Sequence, residues 1–308
     1  MDMIRFIPQY KQRVWGGRRL EEGYGRELPD EAPYGESWEI VDRADEQSVV
    51  AAGRFAGKTL HMLWTEHRAE IFGEGLPDVE RFPLLIKLLD ARDDLSIQVH
   101  PPTQVAGELG GEPKTEMWYL AEVDPGAKLY VGLKRGVTRE AFEAALQDGT
   151  VAEVVHQLEP QADESIFIES GRLHAIGGGF LIHEIQQNSD TTYRVFDWNR
   201  VGLDGQPRQL HVEESLRSID FDDIEPEIDA AGDGVLAQCE HFRVEKLSVA
   251  AGGEVGTACN DRFAIISVID GRLDGGLSKG DVVLLPRGFA TISVTQDAVV
   301  LRTTIPRG

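Results

Sequence analysis

A short stretch in the first third of the chain places two possible metal ligands on one face of a predicted strand. In the run Leu95-Ser-Ile-Gln-Val-His-Pro-Pro-Thr103, apolar and polar residues alternate, which is typical of a strand with one buried face. Ser96, Gln98 and His100 therefore share the polar face. The strand should end at His100, because the two prolines that follow lack the N–H group that a sheet requires. Taken alone, the same pattern also fits the exposed face of an ordinary strand.

Two further residues of ligand type stand near the ends of other predicted strands. Glu116 opens a strand after a Gly/Pro loop, and His174 follows a turn that contains Gly171. With Gln98 and His100 they offer two imidazoles, a carboxylate and an amide oxygen, a set that suits a catalytic zinc ion with an open position. Iron, manganese or cobalt accept the same nitrogen and oxygen donors. Because no cysteine belongs to the set, a purely structural zinc site is disfavoured.

The elements that would position these residues are mostly short strands. The predicted strands, separated by Gly, Pro and Asp, are 84–89, 95–100, 116–122, 128–132, 165–169, 180–186, 242–249, 263–269, 281–285 and 290–294. Helices are predicted at 58–72, 138–147, 151–158 and 212–219, the third with a capping box formed by Thr150 and Glu153. This pattern favours a mainly β fold, a sandwich or barrel, over βαβ units. No GxGxxG or Walker loop stands between a strand and a helix.

Two segments of the chain share one pattern of turns and strands. Residues 163–174 and 280–291 both contain a turn, an apolar strand, a turn with a glycine and the start of another strand. The first segment ends in His174, whereas the second has Thr291 at the same place. We therefore predict two related β-units, of which only the first carries a metal. The predicted division is a catalytic unit at 1–221, an acidic connector at 222–236 and a smaller, metal-free β-unit at 237–308.

Composition and charge exclude several classes of function. The 308 residues include 41% hydrophobic residues, enough for a substantial core, and no apolar run is long enough to span a bilayer. A formal net charge of −22 argues against nucleic acids and membrane surfaces as partners, because both are polyanions. The absence of a signal-like N-terminus and the presence of only two cysteines predict a cytoplasmic protein. An anionic substrate would need cations collected locally in its pocket.

A series of motifs follows the chain from its start to residue 197. They are Val14-Trp-Gly-Gly17, Gly35-Glu-Ser-Trp-Glu39, Ser96-Ile-Gln-Val-His-Pro101, Lys114-x-Glu116-Met, Gly171-x-x-His174-Ala-Ile-Gly and Glu184-Ile-Gln-Gln-Asn-Ser-Asp-Thr-Thr-Tyr-Arg-Val-Phe-Asp197. In this order they resemble the type I mannose-6-phosphate isomerases, above all their short bacterial form. The resemblance covers nearly the whole chain. It implies the cupin fold, a β-jelly roll, and a zinc-dependent interconversion of mannose 6-phosphate and fructose 6-phosphate.

The resemblance also implies a role for each candidate residue. The zinc ligands would be Gln98, His100, Glu116 and His174. Arg194 would be the essential catalytic arginine, and Ser96 and Lys114 would lie near the substrate. Arg200, a further substrate-binding candidate, stands where longer relatives have a lysine, which keeps the charge but changes the geometry. Glu184 stands where larger members have a carboxylate proposed in proton transfer. The residues leave three routes open for the proton: Glu184, a metal-bound water, and transfer assisted by Arg194.

Two other classes of function fit the same residues. Another metal-dependent cupin enzyme, such as a dioxygenase, would use the same ligands but would have little use for Lys114 and Arg194. A catalytically silent sugar-binding or regulatory cupin should have lost a ligand or the arginine, and the sequence keeps them all. We therefore expect an enzyme that acts on a sugar phosphate, as a monomer or a weak homo-oligomer.

Overall fold

The computed structural model describes residues 1–307, which form a mainly β protein with a few short helices. The strands are β1 (Ile4–Arg5), β2 (Gln9–Gly17), β3 (Tyr34–Ile40), β4 (Asp42–Arg43), β5 (Glu46–Gln47), β6 (Leu84–Ala91), β7 (Ile97–Val99), β8 (Glu116–Val123), β9 (Leu129–Leu133), β10 (Val155–Leu158), β11 (Ser165–Ile168), β12 (His174–Ile176), β13 (Phe180–Gln187), β14 (Tyr193–Phe196), β15 (Gly234–Gln238), β16 (Arg243–Val249), β17 (Glu254–Val255), β18 (Ala264–Leu273), β19 (Leu277–Ser278), β20 (Val282–Leu285) and β21 (Ile292–Thr304). The helices are α1 (Arg19–Glu22), α2 (Leu60–Glu66), α3 (Arg68–Ile71), α4 (Thr103–Ala106), α5 (Arg139–Asp148), α6 (Val151–Val154) and α7 (Val212–Ser218). The predicted mainly β fold class is confirmed.

Two antiparallel sheets enclose the region that carries the candidate ligands. A six-stranded sheet has the order β11-β8-β13-β6-β2-β3, and a five-stranded sheet has the order β10-β9-β12-β7-β14. Apolar side chains from both sheets, among them Trp118 and Ile182 of the first and Val131 and Ile176 of the second, form one buried cluster between them. Among residues 1–307 no strand pairing joins the two sheets into a closed barrel, so the jelly roll is open.

The six-stranded sheet is the middle layer of the molecule. Its other face packs against helices α2 and α3 and against a third sheet formed mainly by the C-terminal strands. Alternate residues of β6 therefore face two different cores: Ile86 packs towards the C-terminal sheet and Leu89 towards the five-stranded sheet. Burial on both faces explains why β6 has an almost continuous apolar sequence. Lys87 and Asp90 are the two exceptions, and Lys87 lies on the face towards the candidate site.

The C-terminal sheet includes a strand from the other end of the chain. Its order is β1-β20-β18-β21-β16-β15, and in β1 Ile4 stands opposite Leu284. Residues 4–5, which the predicted division assigns to the catalytic unit, thus pair with the C-terminal unit. At the other boundary, β15 begins at Gly234, inside the predicted connector.

The helices follow their local sequence signals with one clear exception. Helix α5 begins after Thr138, whose hydroxyl accepts a hydrogen bond from the Ala141 N–H, and ends at Gly149 in the left-handed conformation (φ 72°). The helix predicted at 151–158 is wrong in its second half, because residues from Val155 onward pair with β9 as strand β10. The side chain of Thr150 makes no capping hydrogen bond, so the predicted capping box is also wrong. No helix among residues 1–307 has the length and apolarity needed to cross a membrane.

Candidate active site

Three buried side chains converge between the two facing sheets. The ligand atoms of His100, Glu116 and His174 lie within 4.8 Å of one another, and all three residues are fully buried. Nε2 of His100 is 3.5 Å from Oε2 of Glu116, and Nε2 of His174 is 3.5 Å from Oε1 of the same carboxylate. Since β7 and β12 belong to one sheet and β8 to the other, the cluster exists only when the sheets pack.

The local sequence explains how each ligand reaches this point. His100 follows the end of β7 directly, where Pro101 stops the strand. The turn before His174 contains Gly171 with φ 99°, a left-handed conformation that favours glycine. The Gly171 N–H donates to the carbonyl of His100 at 2.8 Å, so the turn is tied to the neighbouring ligand. Glu116 is the first residue of β8 in the opposite sheet.

Hydrogen bonds to backbone carbonyls fix the orientation of both imidazoles. Nδ1 of His100 lies 2.9 Å from the carbonyl oxygen of Thr191, and Nδ1 of His174 lies 2.9 Å from that of Arg172. A carbonyl oxygen can only accept, so each Nδ1 must carry the proton. Each Nε2 then presents its lone pair to the centre of the cluster, which is the arrangement of a metal-ligating histidine.

The polar atoms at the centre of the cluster fit a divalent metal ion. Nε2 of His100 and Oε1 of Glu116 are buried and accept no hydrogen bond, and Oε2 of Glu116 has the Lys114 ammonium beside it at 3.2 Å. Buried polar atoms are rarely left unpaired, because each costs about 1–3 kcal/mol. Gln98 supplies the fourth candidate: it stands opposite His174 in the sheet, and its side-chain amide lies 3.3 Å from Nε2 of that residue.

The charges around Glu116 keep it in its metal-binding form. Burial alone would raise the pKa of Glu116, but the Lys114 ammonium, with Nζ 3.2 Å from Oε2, and the two imidazoles hold it well below its ordinary value. The same carboxylate raises the pKa of Lys114 against the effect of burial. Burial and the nearby Lys114 lower the pKa of His100 to about 4, so its imidazole is neutral near pH 7.

The cluster lies below a cleft of about 550 Å³ between the sheets. The charged residues that line it are Arg13, Glu36, Lys87, Lys114, Glu184, Asp190, Arg194, Asp204 and Arg208. Ser96 and Gln98 also line the cleft, and the Ser96 hydroxyl donates to Oε1 of Gln98 at 3.3 Å. The structure therefore brings the predicted residues Ser96, Lys114, Glu184 and Arg194 to one cavity beside the ligands.

Glu184 is held in this cleft by two donors. Its Oε1 is 3.0 Å from Nζ of Lys87, and its Oε2 accepts a hydrogen bond from the Trp118 indole at 3.1 Å. Both partners stand directly opposite Glu184 in the neighbouring strands β6 and β8. Sequence reasoning missed Lys87, although a lysine inside the apolar run Leu84–Ala91 was an available signal that the strand faces a polar site.

Arg194 lies on β14 opposite the candidate ligand Gln98. One guanidinium nitrogen donates to the carbonyl of Gln209 at 2.8 Å, while the buried Nε has no partner. Burial and the neighbouring Arg208 guanidinium lower the pKa of Arg194 from its ordinary value. Its charge is thus not neutralised by a direct ion pair of its own.

The ion pair of Arg13 and Glu36 also lines the cleft, and sequence reasoning did not identify it. Arg13 binds Glu36 through two hydrogen bonds of 2.9 and 3.0 Å, and the Trp38 indole donates to the same carboxylate at 2.6 Å. Although burial alone would raise the pKa of Glu36, the Arg13 and Lys87 cations lower it to about 2.

Arg200, predicted to bind substrate, is not among the residues that line the cleft, and it pairs with Asp197 instead.

The fold and the site together define a cupin-type protein with a His/Glu/His metal centre at the base of a charged cleft. Residues 3–148 match the family model of the phosphomannose isomerase type I catalytic domain. The mannose-6-phosphate isomerase ManA of Bacillus subtilis is 36% identical to this chain over 92% of the chain and 93% of its own length. A mannose-6-phosphate isomerase of Streptococcus mutans is 35% identical, with 90% of each chain covered. The chain therefore belongs to the type I mannose-6-phosphate isomerase family, as its motifs indicated.

Solved structures agree with this assignment. A crystal structure of the mannose 6-phosphate isomerase from Bacillus subtilis matches with a TM-score of 0.86 and 31% identity, covering 99% of this chain and 100% of the other. A putative mannosephosphate isomerase from Archaeoglobus fulgidus matches with a TM-score of 0.80 at 22% identity, over 98% and 97% of the two chains, and this likeness shows the fold alone.

Proposed function

We propose that this chain is a zinc-dependent isomerase that interconverts mannose 6-phosphate and fructose 6-phosphate. The observation that carries the proposal is the buried cluster of His100, Glu116 and His174, whose ligand atoms converge at the base of a cleft with five cationic side chains. A chain of net charge −22 that gathers cations in one cavity is suited to an anionic substrate. The names of the related proteins support the same reaction.

The proposed metal site uses Gln98, His100, Glu116 and His174. This set consists of two neutral imidazoles, one carboxylate and one amide. Such nitrogen and oxygen donors suit zinc and leave a coordination position open for substrate. When bound, a divalent ion supplies Lewis acidity that stabilises the negative charge developing on the sugar oxygens at C1 and C2. Ser96 keeps Gln98 in place, since its hydroxyl donates to the amide oxygen.

The proton moves between C2 and C1 of the open-chain sugar, and Glu184 is the proposed carrier. In the direction from aldose to ketose, the carboxylate takes the C2 proton, and the C–H electron pair forms the C1–C2 double bond while the C1 carbonyl pair moves onto O1. The O2 proton passes to O1, the C2 carbonyl forms, and the electron pair of the double bond takes the proton back from Glu184 at C1. Lys87 and Trp118 fix both oxygens of Glu184, so that its position in the cleft is defined. This pairing favours Glu184 over the two other routes considered from the sequence.

Arg194 and Lys114 supply fixed positive charge in the same cleft. Arg194 lies beside the proposed ligand Gln98, where its unpartnered Nε–H can donate to a sugar oxygen that becomes negative. Lys114 is anchored by Glu116 at 3.2 Å, which keeps its ammonium next to the metal ligands. Ser96 and Arg200 stay proposed substrate-binding residues, with Arg200 in an outer position.

The proposal is tested by measuring both conversion and metal content on one preparation. The purified protein should convert mannose 6-phosphate to fructose 6-phosphate, lose this activity when a chelator removes the metal, and regain it with zinc. Oxygen consumption should stay at the background rate, which separates an isomerase from an oxygenase. Full activity in protein from which the metal has been stripped, or no isomerisation by the zinc-loaded protein, would contradict the proposal.

A further inference from the structure

A hairpin after strand β14 carries two arginines next to each other at the side of the cleft. Trp198 and Asn199 both have φ 54°, and the Arg200 N–H donates to the carbonyl of Asp197 at 3.1 Å, so the chain reverses sharply after Asp197. Residues 201 and 207 then pair as an antiparallel bridge. Residues 200 and 208 are the next pair in that register, so their side chains leave the hairpin on the same face.

Both arginines bind one buried carboxylate. Arg208 donates to the two oxygens of Asp197 at 2.7 and 2.5 Å, and Nε of Arg200 donates to one of them at 3.1 Å. Arg200 has a second acidic neighbour, Asp93, at 3.9 Å. Two arginines thus share the charge of Asp197, and Arg194, which lies close by, donates to the Gln209 carbonyl instead of to a carboxylate.

The two arginines differ in what they face. Arg208 lines the cleft together with Arg194, whereas Arg200 does not. Two acidic residues, Asp190 and Asp204, also line the cleft, and Asp204 accepts the Gln206 N–H in the hairpin tip at 3.0 Å. Arg208 is therefore the arginine of the Asp197 pair that reaches the cleft.

We propose that Arg208 anchors the phosphate of the substrate and that Asp197 is the residue that positions it. The inference rests on the proposed function, because it assigns one end of the same substrate. In a hexose 6-phosphate the reacting carbons C1 and C2 and the phosphate on C6 lie at opposite ends, so each end needs a cation. Arg194 lies beside a metal ligand, and Arg208 stands on the hairpin outside the sheet. A planar guanidinium already fixed by Asp197 can present its remaining N–H donors to a phosphomonoester dianion.

The test compares Arg208→Gln with Arg200→Gln and with Arg217→Gln, an exposed arginine paired with Glu108 that serves as the control for a lost charge. Arg208→Gln should raise the KM for mannose 6-phosphate roughly 10- to 100-fold, the value of one hydrogen bond to a charged group, with kcat changed much less. The kcat/KM for mannose without phosphate should stay the same, so selectivity for the phosphorylated sugar falls. Arg200→Gln should have a smaller effect, and Arg208→Lys should recover part of the loss.

Binding measurements separate this inference from the proposed function. Calorimetry with inorganic phosphate and with mannose 6-phosphate should show weaker binding of both ligands to Arg208→Gln than to the unaltered protein. If the protein binds the sugar phosphate through Arg208 but does not isomerise it, the proposed function fails and the phosphate site stands. If isomerisation is normal and Arg208→Gln changes neither KM nor phosphate binding, or if Arg200→Gln has the larger effect, the phosphate assignment is overturned.

The role of Asp197 has its own readout. Asp197→Asn removes the charge that orients Arg208 but keeps a side chain of the same shape. We expect the KM for mannose 6-phosphate to rise while the kcat/KM for unphosphorylated mannose and the metal content do not change. Equal losses with both sugars would show that Asp197 only supports the fold and would remove it from the proposal.

Discussion

The two repeated segments of this chain follow the same order of strand and turn, but the residue after the turn is buried in one and exposed in the other. In residues 163–174 a strand is followed by a turn at Gly171, and His174 enters the buried space between two sheets. In residues 280–291 a strand is followed by a turn at Gly288, also left-handed with φ 69°, and the matching Thr291 is exposed. The turn is common to both units. The metal centre depends on the residue placed after the turn and on the facing strands that bring Glu116 and His100 to it.

The largest effect is expected from His174→Ala, which tests whether the metal is held by the first of the two segments. Removing one nitrogen from a four-ligand set should abolish tight metal binding and lower isomerisation roughly a thousandfold, because a bound metal contributes several kcal/mol of charge stabilisation. Thr291→Ala, the same change in the other segment, should alter neither property. Metal analysis and steady-state kinetics on both variants check this prediction, and full zinc occupancy in His174→Ala would refute the ligand assignment.

Arg194→Lys tests whether turnover can be lost while the metal stays bound. Lysine keeps the charge but loses the planar donors, so we expect kcat and kcat/KM to fall together by roughly 100- to 1,000-fold while zinc content is retained. Kinetics on the zinc-loaded variant decide the matter. A normal kcat with a raised KM would instead make Arg194 a substrate-binding residue and leave Glu184 as the main catalytic group.

His183 is a buried histidine outside the metal centre, and its surroundings contrast with those of His100 and His174. His183 is fully buried on the far side of β13, and its Nε2 lies 2.9 Å from the Tyr24 hydroxyl. Burial and the nearby Arg26 and Lys279 cations lower its pKa to about 3. Between pH 6.5 and about 3 the unfolded chain therefore binds a proton that the folded chain does not, and this term destabilises the fold as the pH falls.

We predict that His183→Gln removes the contribution of this histidine to the loss of stability at low pH. The difference in unfolding free energy between the unaltered protein and the variant should shrink by about 2 kcal/mol from pH 7 to pH 5, because the slope is about 1.4 kcal/mol per unit. Urea unfolding of both proteins at the two pH values measures it. A difference that stays constant would show that His183 is protonated in the folded state.

The smallest expected effect concerns a contact between the C-terminal sheet and the loop before β11. Lys246 of β16 is buried and binds Asp163 of the first unit at 2.5 Å, and the Tyr119 hydroxyl donates to the same carboxylate. Because Asp163 is partly exposed, Lys246→Met should lower the unfolding free energy by only about 1–2 kcal/mol and leave metal content and kcat unchanged. Lys58→Met, which breaks an exposed pair with Glu66, is the control and should not change the stability measurably. A loss of metal in Lys246→Met would show that the units are coupled more tightly than the comparison states.

The sequence was most informative where local chemistry and local structure coincide. The alternation before His100 and the prolines after it define the end of β7, and Gly171 defines the turn before His174, so these ligands could be predicted. Lys87 had a signal that was missed, a lysine inside an apolar strand, whereas Glu36 becomes part of the cleft only because β3 pairs with the distant strand β6. The same reason explains the error after Val154, where a helical pattern is overridden by pairing with β9.

The pairing of β1 with β20 has a consequence for how the protein is made. Ile4 must find Leu284, about 280 positions later in the chain, so this contact is among the most distant that the fold contains. At translation rates of roughly 5–20 residues per second, the first strand waits on the order of 15 to 60 seconds for its partner. During that time Ile4 and Phe6, which end up buried, have no finished sheet to cover them. Strand β1 is thus made long before the strand that covers it, and slow or interrupted synthesis of the C-terminal strands would leave it open to chaperones and proteases.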